Sequence, residues 1–163
     1  MATIKGFAKR VLLLGILLTM SSCSDKVDWF DKSFFDGENN ITAEDFFNCE
    51  GSEYYIYYYS LYCNLCTQMK SDIVSFMENC GEITYTLSAQ NLSEDDFGKF
   101  KQISNKNFDK DDINQMNSEM IGKDNINEIY LIGTPMLFVI AEHRVSEVYS
   151  GAAAVHEYIS KYL

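Results

Sequence analysis

The run Tyr54-Tyr55-Ile56-Tyr57-Tyr58-Tyr59-Ser60 constrains the fold more than any other stretch of this chain. Its aromatic and β-branched residues follow one another without polar ones in between. That pattern fits a β-strand buried on both faces, as at the centre of a parallel sheet. Such a strand needs cover on each side, and a layered α/β domain supplies it. The material is present: 47% of the 163 residues are hydrophobic, and 11 Tyr with 11 Phe predict an aromatic-rich core. The tyrosine cluster is therefore read as core rather than as a ligand platform.

The remaining pattern fills in that architecture. A helix is expected from Thr42, which can cap it, with Asp45 at the capping-box position, Phe46-Phe47 facing inward and Gly51 ending it. A second helix is expected over about 64–79, with Met69, Ile73, Phe76 and Met77 at helical spacing. Residues 83–87 alternate apolar with Thr and read as a strand. Residues 92–132 are helical by pattern, interrupted by a polar loop at 105–112. Residues 136–141 and 144–149 read as two strands joined by a tight turn at Glu142-His143, and Gly151 releases a last helix carrying Val155, Tyr158, Ile159 and Tyr162 inward. The order from Thr42 is α-β-α-β-(α, α)-β-β-α, which implies a mixed central sheet with helices on both faces.

Cys63-Asn64-Leu65-Cys66 stands where the aromatic strand gives way to a helix. Residues three apart share a helix face, so the two sulfurs are close enough to bond. Unpaired N–H groups and the dipole at the helix N-terminus favour negative charge on the first cysteine, lowering its pKa below the free value of ~8.5. Cys63 is then the attacking thiolate and Cys66 the resolving thiol. Two other uses of these residues remain open: a structural disulfide, or a zinc site completed by Cys49 and Cys80. Haem attachment is excluded because Thr67 stands where that motif needs His. His143 and His156 are read as surface residues.

The chain begins with a different kind of segment. Lys5, Lys9 and Arg10 precede an uncharged run at 11–20. That run is shorter than the about 20 apolar residues a membrane-spanning helix needs, and it fits the core of a secretion signal. Met20-Ser21-Ser22-Cys23 follows, resembling the bacterial lipoprotein signal in which Cys23 is lipidated and becomes the new N-terminus. An ordinary cleaved signal is the alternative. The expected organisation is a signal peptide at 1–22, a tether at 23–41 that docks a short strand on the domain, and one domain at 42–163. Loss of 1–22 removes three basic residues, taking the net charge from −11 to −14. So acidic a domain is unsuited to nucleic acid or to anionic lipid, and an acyl chain is the more credible membrane link. Five cysteines leave one unpaired in an oxidising compartment. With Cys23 assigned to lipid, Cys63 can pair with Cys66 and Cys49 with Cys80.

The chain's one proline lies in Gly133-Thr134-Pro135, immediately before a strand, where proline costs a ladder bond. Strand, CxxC, helix, a later Thr-Pro opening a strand, a hairpin and an amphipathic last helix together resemble the thioredoxin superfamily. The resemblance covers about 42–163, with the helical stretch at about 93–117 standing as an insertion before the Thr-Pro strand. It implies a thioredoxin-like three-layer α/β sandwich, a cis Thr134–Pro135 bond beside the CxxC, and substrate binding by Thr134, Pro135 and Tyr62. It also places the strands after Cys49 and Cys80 side by side, entering the sheet from one end, so those cysteines are expected to form a structural disulfide. The sequence departs from the pattern at Tyr57, where thioredoxin has a buried Asp that moves a proton, and at Tyr62, where Trp is usual. Asn64-Leu65 also differs from the dipeptides of the known reductase, oxidase and isomerase branches.

The expected function is thiol–disulfide exchange on exported proteins at the extracytoplasmic membrane face. Protein or peptide thiols and disulfides are the partners, no cofactor or metal is needed, and the chain acts as a monomer. The alternatives are an accessory or binding lipoprotein on the same fold, serving peptide export or metal capture without turnover, and a purely structural surface lipoprotein.

Overall fold

A computed structural model describes residues 39–103 and 108–163, so the expected signal peptide, Cys23 and nearly all of the tether lie outside the described residues. The aromatic run forms strand β1, Glu53–Tyr59. Period-two alternation sends Tyr54, Ile56 and Tyr58 to one face and Tyr55, Tyr57 and Tyr59 to the other, and all six are buried. β1 is central in a four-stranded sheet of order β2-β1-β3-β4, with β2 at Ile83–Ser88, β3 at Met136–Ala141 and β4 at Arg144–Ser150. β1 runs parallel to β2, Tyr54 opposite Ile83, and antiparallel to β3, Tyr58 opposite Met136. β3 and β4 form the expected hairpin, turning at Glu142 (φ 50°) and His143 (φ 60°). The sheet is therefore mixed, and its central strand is buried as the sequence predicts.

The two faces are covered differently. On one lie helices α1 (Asn64–Gln68), α2 (Lys70–Asn79) and α5 (Ala152–Ile159), which bring Cys66, Met69, Ile73, Phe76, Val155 and Ile159 onto Tyr55, Tyr57 and Tyr59. On the other, the segment holding Phe46 and Phe47, then Phe100, Met120 and Ile129, packs on Tyr54, Ile56 and Phe138. Phe46 sits edge-on to Phe138 at 5.1 Å and to Phe100 at 5.9 Å. Helices α3 (Glu94–Lys99) and α4 (Lys110–Met120) occupy the stretch between β2 and β3, each opened by a reciprocal capping box, Ser93 with Asp96 and Asp109 with Asp112.

Four expectations need correction. The helix expected from Thr42 is a series of turns: Thr42 does bond Asp45, but Asp45, Phe46 and Asn48 donate to carbonyls three residues back. Such i→i+3 bonding without continuation suits a short segment pinned by Phe46 and Phe47. The helix expected at 64–79 is divided at Met69 (φ −86°, ψ 0°). The helical pattern to 132 ends at Met120. Gly122 there adopts φ 80°, and its N–H donates to Val145 of β4, whose own N–H donates to Lys123. The backbone covers the sheet edge instead of coiling, with one 3₁₀ turn at Ile126–Glu128. The short strand expected from the tether is reduced to a parallel bridge between Asn40 and Thr86.

Candidate active site

β1 ends at Tyr59, and the chain turns sharply before Cys63, whose N–H donates to the Ser60 carbonyl at 3.1 Å. Gln90, just past β2, clamps that turn. Its amide oxygen accepts the Leu61 N–H at 2.8 Å, and its Nε2 donates to Ser60 Oγ at 2.8 Å. The Ser60 hydroxyl also accepts the Tyr62 N–H at 3.1 Å. Ser60 and Gln90 together hold the turn that leads into Cys63, and neither stands out in the sequence. A contact across thirty residues between a serine and a glutamine has no periodic or motif signal.

Cys63 is the N-cap of α1, and its Sγ accepts the Cys66 N–H at 3.0 Å. Because the influence of a helix terminus is confined to its first turn, the break at Met69 leaves this environment intact. Cys63 and Cys66 form a disulfide with Cα atoms 5.2 Å apart. Cys66 is fully buried, whereas Cys63 is half-buried and reachable. Beside them Tyr62 is 71% exposed and Leu65 50% exposed, an apolar rim around the disulfide.

The Thr134–Pro135 bond is cis, and the Thr134 carbonyl oxygen lies 3.5 Å from Cys63 Sγ. The Pro135 carbonyl accepts the Gly151 N–H at 2.8 Å, tying the turn to the start of α5. Cys63, Cys66, Thr134 and Pro135 are therefore together, with Tyr62 at the rim. Tyr57 belongs to the buried cluster that also contains Cys66. Burial, and secondarily Tyr59, pushes the Tyr57 phenol well above its ordinary pKa. It stays protonated at neutral pH and cannot serve as the base that a buried carboxylate would provide.

Cys49 and Cys80 are not joined to this site or to each other. Both precede strands at the opposite end of the sheet, as expected, but both are free thiols. Cys49 belongs to the cluster with Phe46 and Tyr54, and Cys80 packs against the cluster with Phe76, across the sheet. The expected disulfide is thus contradicted: the strands are neighbours, but the approaching segments lie on opposite faces. The same separation removes the zinc alternative, which needs all four sulfurs at one point. Cys49 Sγ–H donates to the Asp45 carbonyl at 3.2 Å. Burial first, and the Asp45 charge second, push its thiol pKa up to about 12. His143 and His156 are exposed, His143 Nδ1 lying 2.8 Å from the Phe47 carbonyl and His156 Nε2 lying 3.5 Å from Asp72.

A parallel β1–β2 pair and an antiparallel β3–β4 hairpin in a sheet of order β2-β1-β3-β4, with the Cys63–Cys66 disulfide at the first helix after β1, make a thioredoxin-like α/β fold. No protein-family profile matches the sequence, and no curated protein sequence is significantly similar to it. Among solved structures, the chain resembles the reduced thioredoxin pre-protein of Schistosoma mansoni, at 12% identity and TM-score 0.45 over 76% of this chain and 96% of that one. Mitochondrial thioredoxin 3 from Saccharomyces cerevisiae, in its oxidized form, gives 12% identity and TM-score 0.42 over 76% and 93%. Thioredoxin f2 of Chlamydomonas reinhardtii gives 10% and 0.40 over 75% and 96%. The fold is defined by its strand order and not by overlaps of this size.

Proposed function

We propose that this protein exchanges disulfides with exported polypeptides at the extracytoplasmic face of a membrane, held there by lipid on Cys23. The observation that carries the chemistry is the Cys63–Cys66 disulfide, with the Thr134 carbonyl 3.5 Å from Cys63 Sγ. In the oxidising direction a substrate thiolate attacks Cys63 Sγ, forming a mixed disulfide while Cys66 leaves and takes a proton. A second substrate thiolate then attacks the substrate sulfur of that bond and releases Cys63. Two electrons pass from substrate to protein, and the reverse sequence reduces a substrate disulfide. The Cys66 N–H, 3.0 Å from Cys63 Sγ, stabilises the thiolate whenever Cys63 is free. Thr134 and Pro135 line the place where an extended substrate segment lies, and Tyr62 offers it an apolar face.

Cys66→Ser is expected to accumulate covalently trapped partners, and Cys63→Ser none. Trapping through Cys66 in a Cys63→Ser protein would reverse the two roles. Equal membrane association of wild type and Cys23→Ser would remove the anchor. The second reading, an accessory or binding lipoprotein without turnover, draws on Tyr57 in place of a proton carrier. A reduction potential separates the two. An exchange centre falls at roughly −120 to −270 mV and a structural disulfide below about −300 mV.

A further inference from the structure

Thr134 faces two surroundings at once. Its carbonyl oxygen is next to Cys63, and the residue also lines a cavity of about 390 Å³ between the cis-proline turn and α4. We propose that this cavity is a specificity pocket, taking one bulky aliphatic side chain beside the cysteine of an extended polypeptide substrate. The proposal rests on Cys63 being the exchanging thiol.

Ile113 from the first turn of α4, Phe108 just before its cap, and Ile132 before the Gly133-Thr134 turn form the apolar wall. All three are only half-buried, so apolar surface is left uncovered in a concave site next to the disulfide. The wall is held in place. Met120 at the end of α4 is fully buried in the core, and Ser150 Oγ donates to Asn117 Oδ1 of α4 at 2.7 Å. That bond uses the Ser150 proton, leaving the β4 side of the pocket with little to offer an anion. Among the described residues no charged side chain lines the cavity. Asp109, Asp111 and Asp112 open α4 close by, which disfavours an acidic guest. An extended chain advances ~3.3 Å per residue, so a cysteine bonded to Cys63 with its backbone along Thr134 carries a flanking side chain to this wall. The insertion, which has no part in the dithiol chemistry, thereby acquires a role in choosing substrates.

Equilibrium exchange tests this. Full-length Cys66→Ser protein carrying glutathione on Cys63 is mixed with short single-cysteine peptides that have Leu, Ala or Asp at one of the flanking positions. Each event breaks the Cys63–glutathione disulfide, forms the Cys63–peptide disulfide and releases glutathione thiol. Mass spectrometry of the segment carrying Cys63 reads the ratio. At one flanking position Leu should exceed Ala by about tenfold, with Asp below Ala. Ile113→Ser, which makes the wall polar, and Ile113→Trp, which fills the cavity, should each bring Leu within about twofold of Ala. Exchange with glutathione alone should not change in either variant. Equal constants for Leu and Ala at every position, or a preference that survives both variants, overturns the pocket while leaving the exchange centre standing. Failure of Cys63 to exchange with glutathione in the parent protein overturns both.

Discussion

Cys63 and Cys66 lie at the C-terminal end of β1, and Cys49 and Cys80 at its N-terminal end. At the first end, a tight turn clamped by Gln90 feeds a helix in which the Cys66 N–H donates to Cys63 Sγ. At the second, each thiol has its own local partner: the Asp45 carbonyl for Cys49, the Glu82 carbonyl at 3.2 Å for Cys80. One pair shares a helix face and the other is divided by the sheet. Reactivity follows from these surroundings rather than from residue type. A thiol at a helix start is stabilised as thiolate, whereas a thiol buried near a carboxylate keeps its proton.

The largest expected effect tests whether the two ends differ in function at all. Cys63→Ser should reduce disulfide exchange to the uncatalysed background, while Cys49→Ser should retain it within about twofold, because Cys49 bonds the Asp45 carbonyl and packs on the sheet face away from Cys66. A comparable loss in both variants, measured with a small disulfide reporter, would collapse the distinction.

Alkylation gives the next effect. In the reduced native protein at pH 8, a thiol with a pKa of about 12 carries on the order of a thousandfold less thiolate than a free one. Cys49 should therefore label more slowly than Cys63 by at least that ratio, and the difference should vanish in denaturant. Rapid native labelling of Cys49 would show that its burial does not protect it.

A smaller effect lies in alkaline stability. Cys49 holds its proton more tightly in the folded chain than in the unfolded one. Its contribution is intact below about pH 9.0 and is lost as the pH rises towards about 12. Urea midpoints of Cys49→Ala should therefore decline less steeply than wild type across that window. Parallel curves would remove Cys49 from the titration.

The smallest effect apportions the two causes acting on Cys49. Asp45→Asn removes the charge but leaves the burial, which is the larger cause, so native labelling of Cys49 should rise only a few-fold. The same substitution weakens the two hydrogen bonds that Asp45 accepts from Thr42, at a cost of about 1 kcal/mol. A rise approaching the rate of a free thiol would make charge, not burial, the dominant cause.

Much of the site was legible because its logic is local. The unbroken aromatic run announces a strand buried on both faces, and the CxxC spacing places two sulfurs one helical turn apart wherever that helix lies. Cis geometry at Thr134–Pro135 followed only from the resemblance to thioredoxin. Cys49 and Cys80 show where local logic ends. An even cysteine count and a shared sheet end left the face undecided, and the face depends on how each connection crosses the sheet.

Gln90 on the Ser60 turn is a second case of the same kind, and Ile113 beside Thr134 a third. Ile113 read simply as one apolar position on an amphipathic helix, and only the docking of α4 beside the cis-proline turn gave it a neighbour of chemical interest. Periodicity and spacing determine what a segment becomes, because they act through dihedral preferences and nearest neighbours. Which segments meet is decided by the burial of whole faces, a sum over side chains far apart in the chain. By itself the sequence determined the central strand and the dithiol. The tertiary structure alone decided which cysteines stay apart and which helix borders the site.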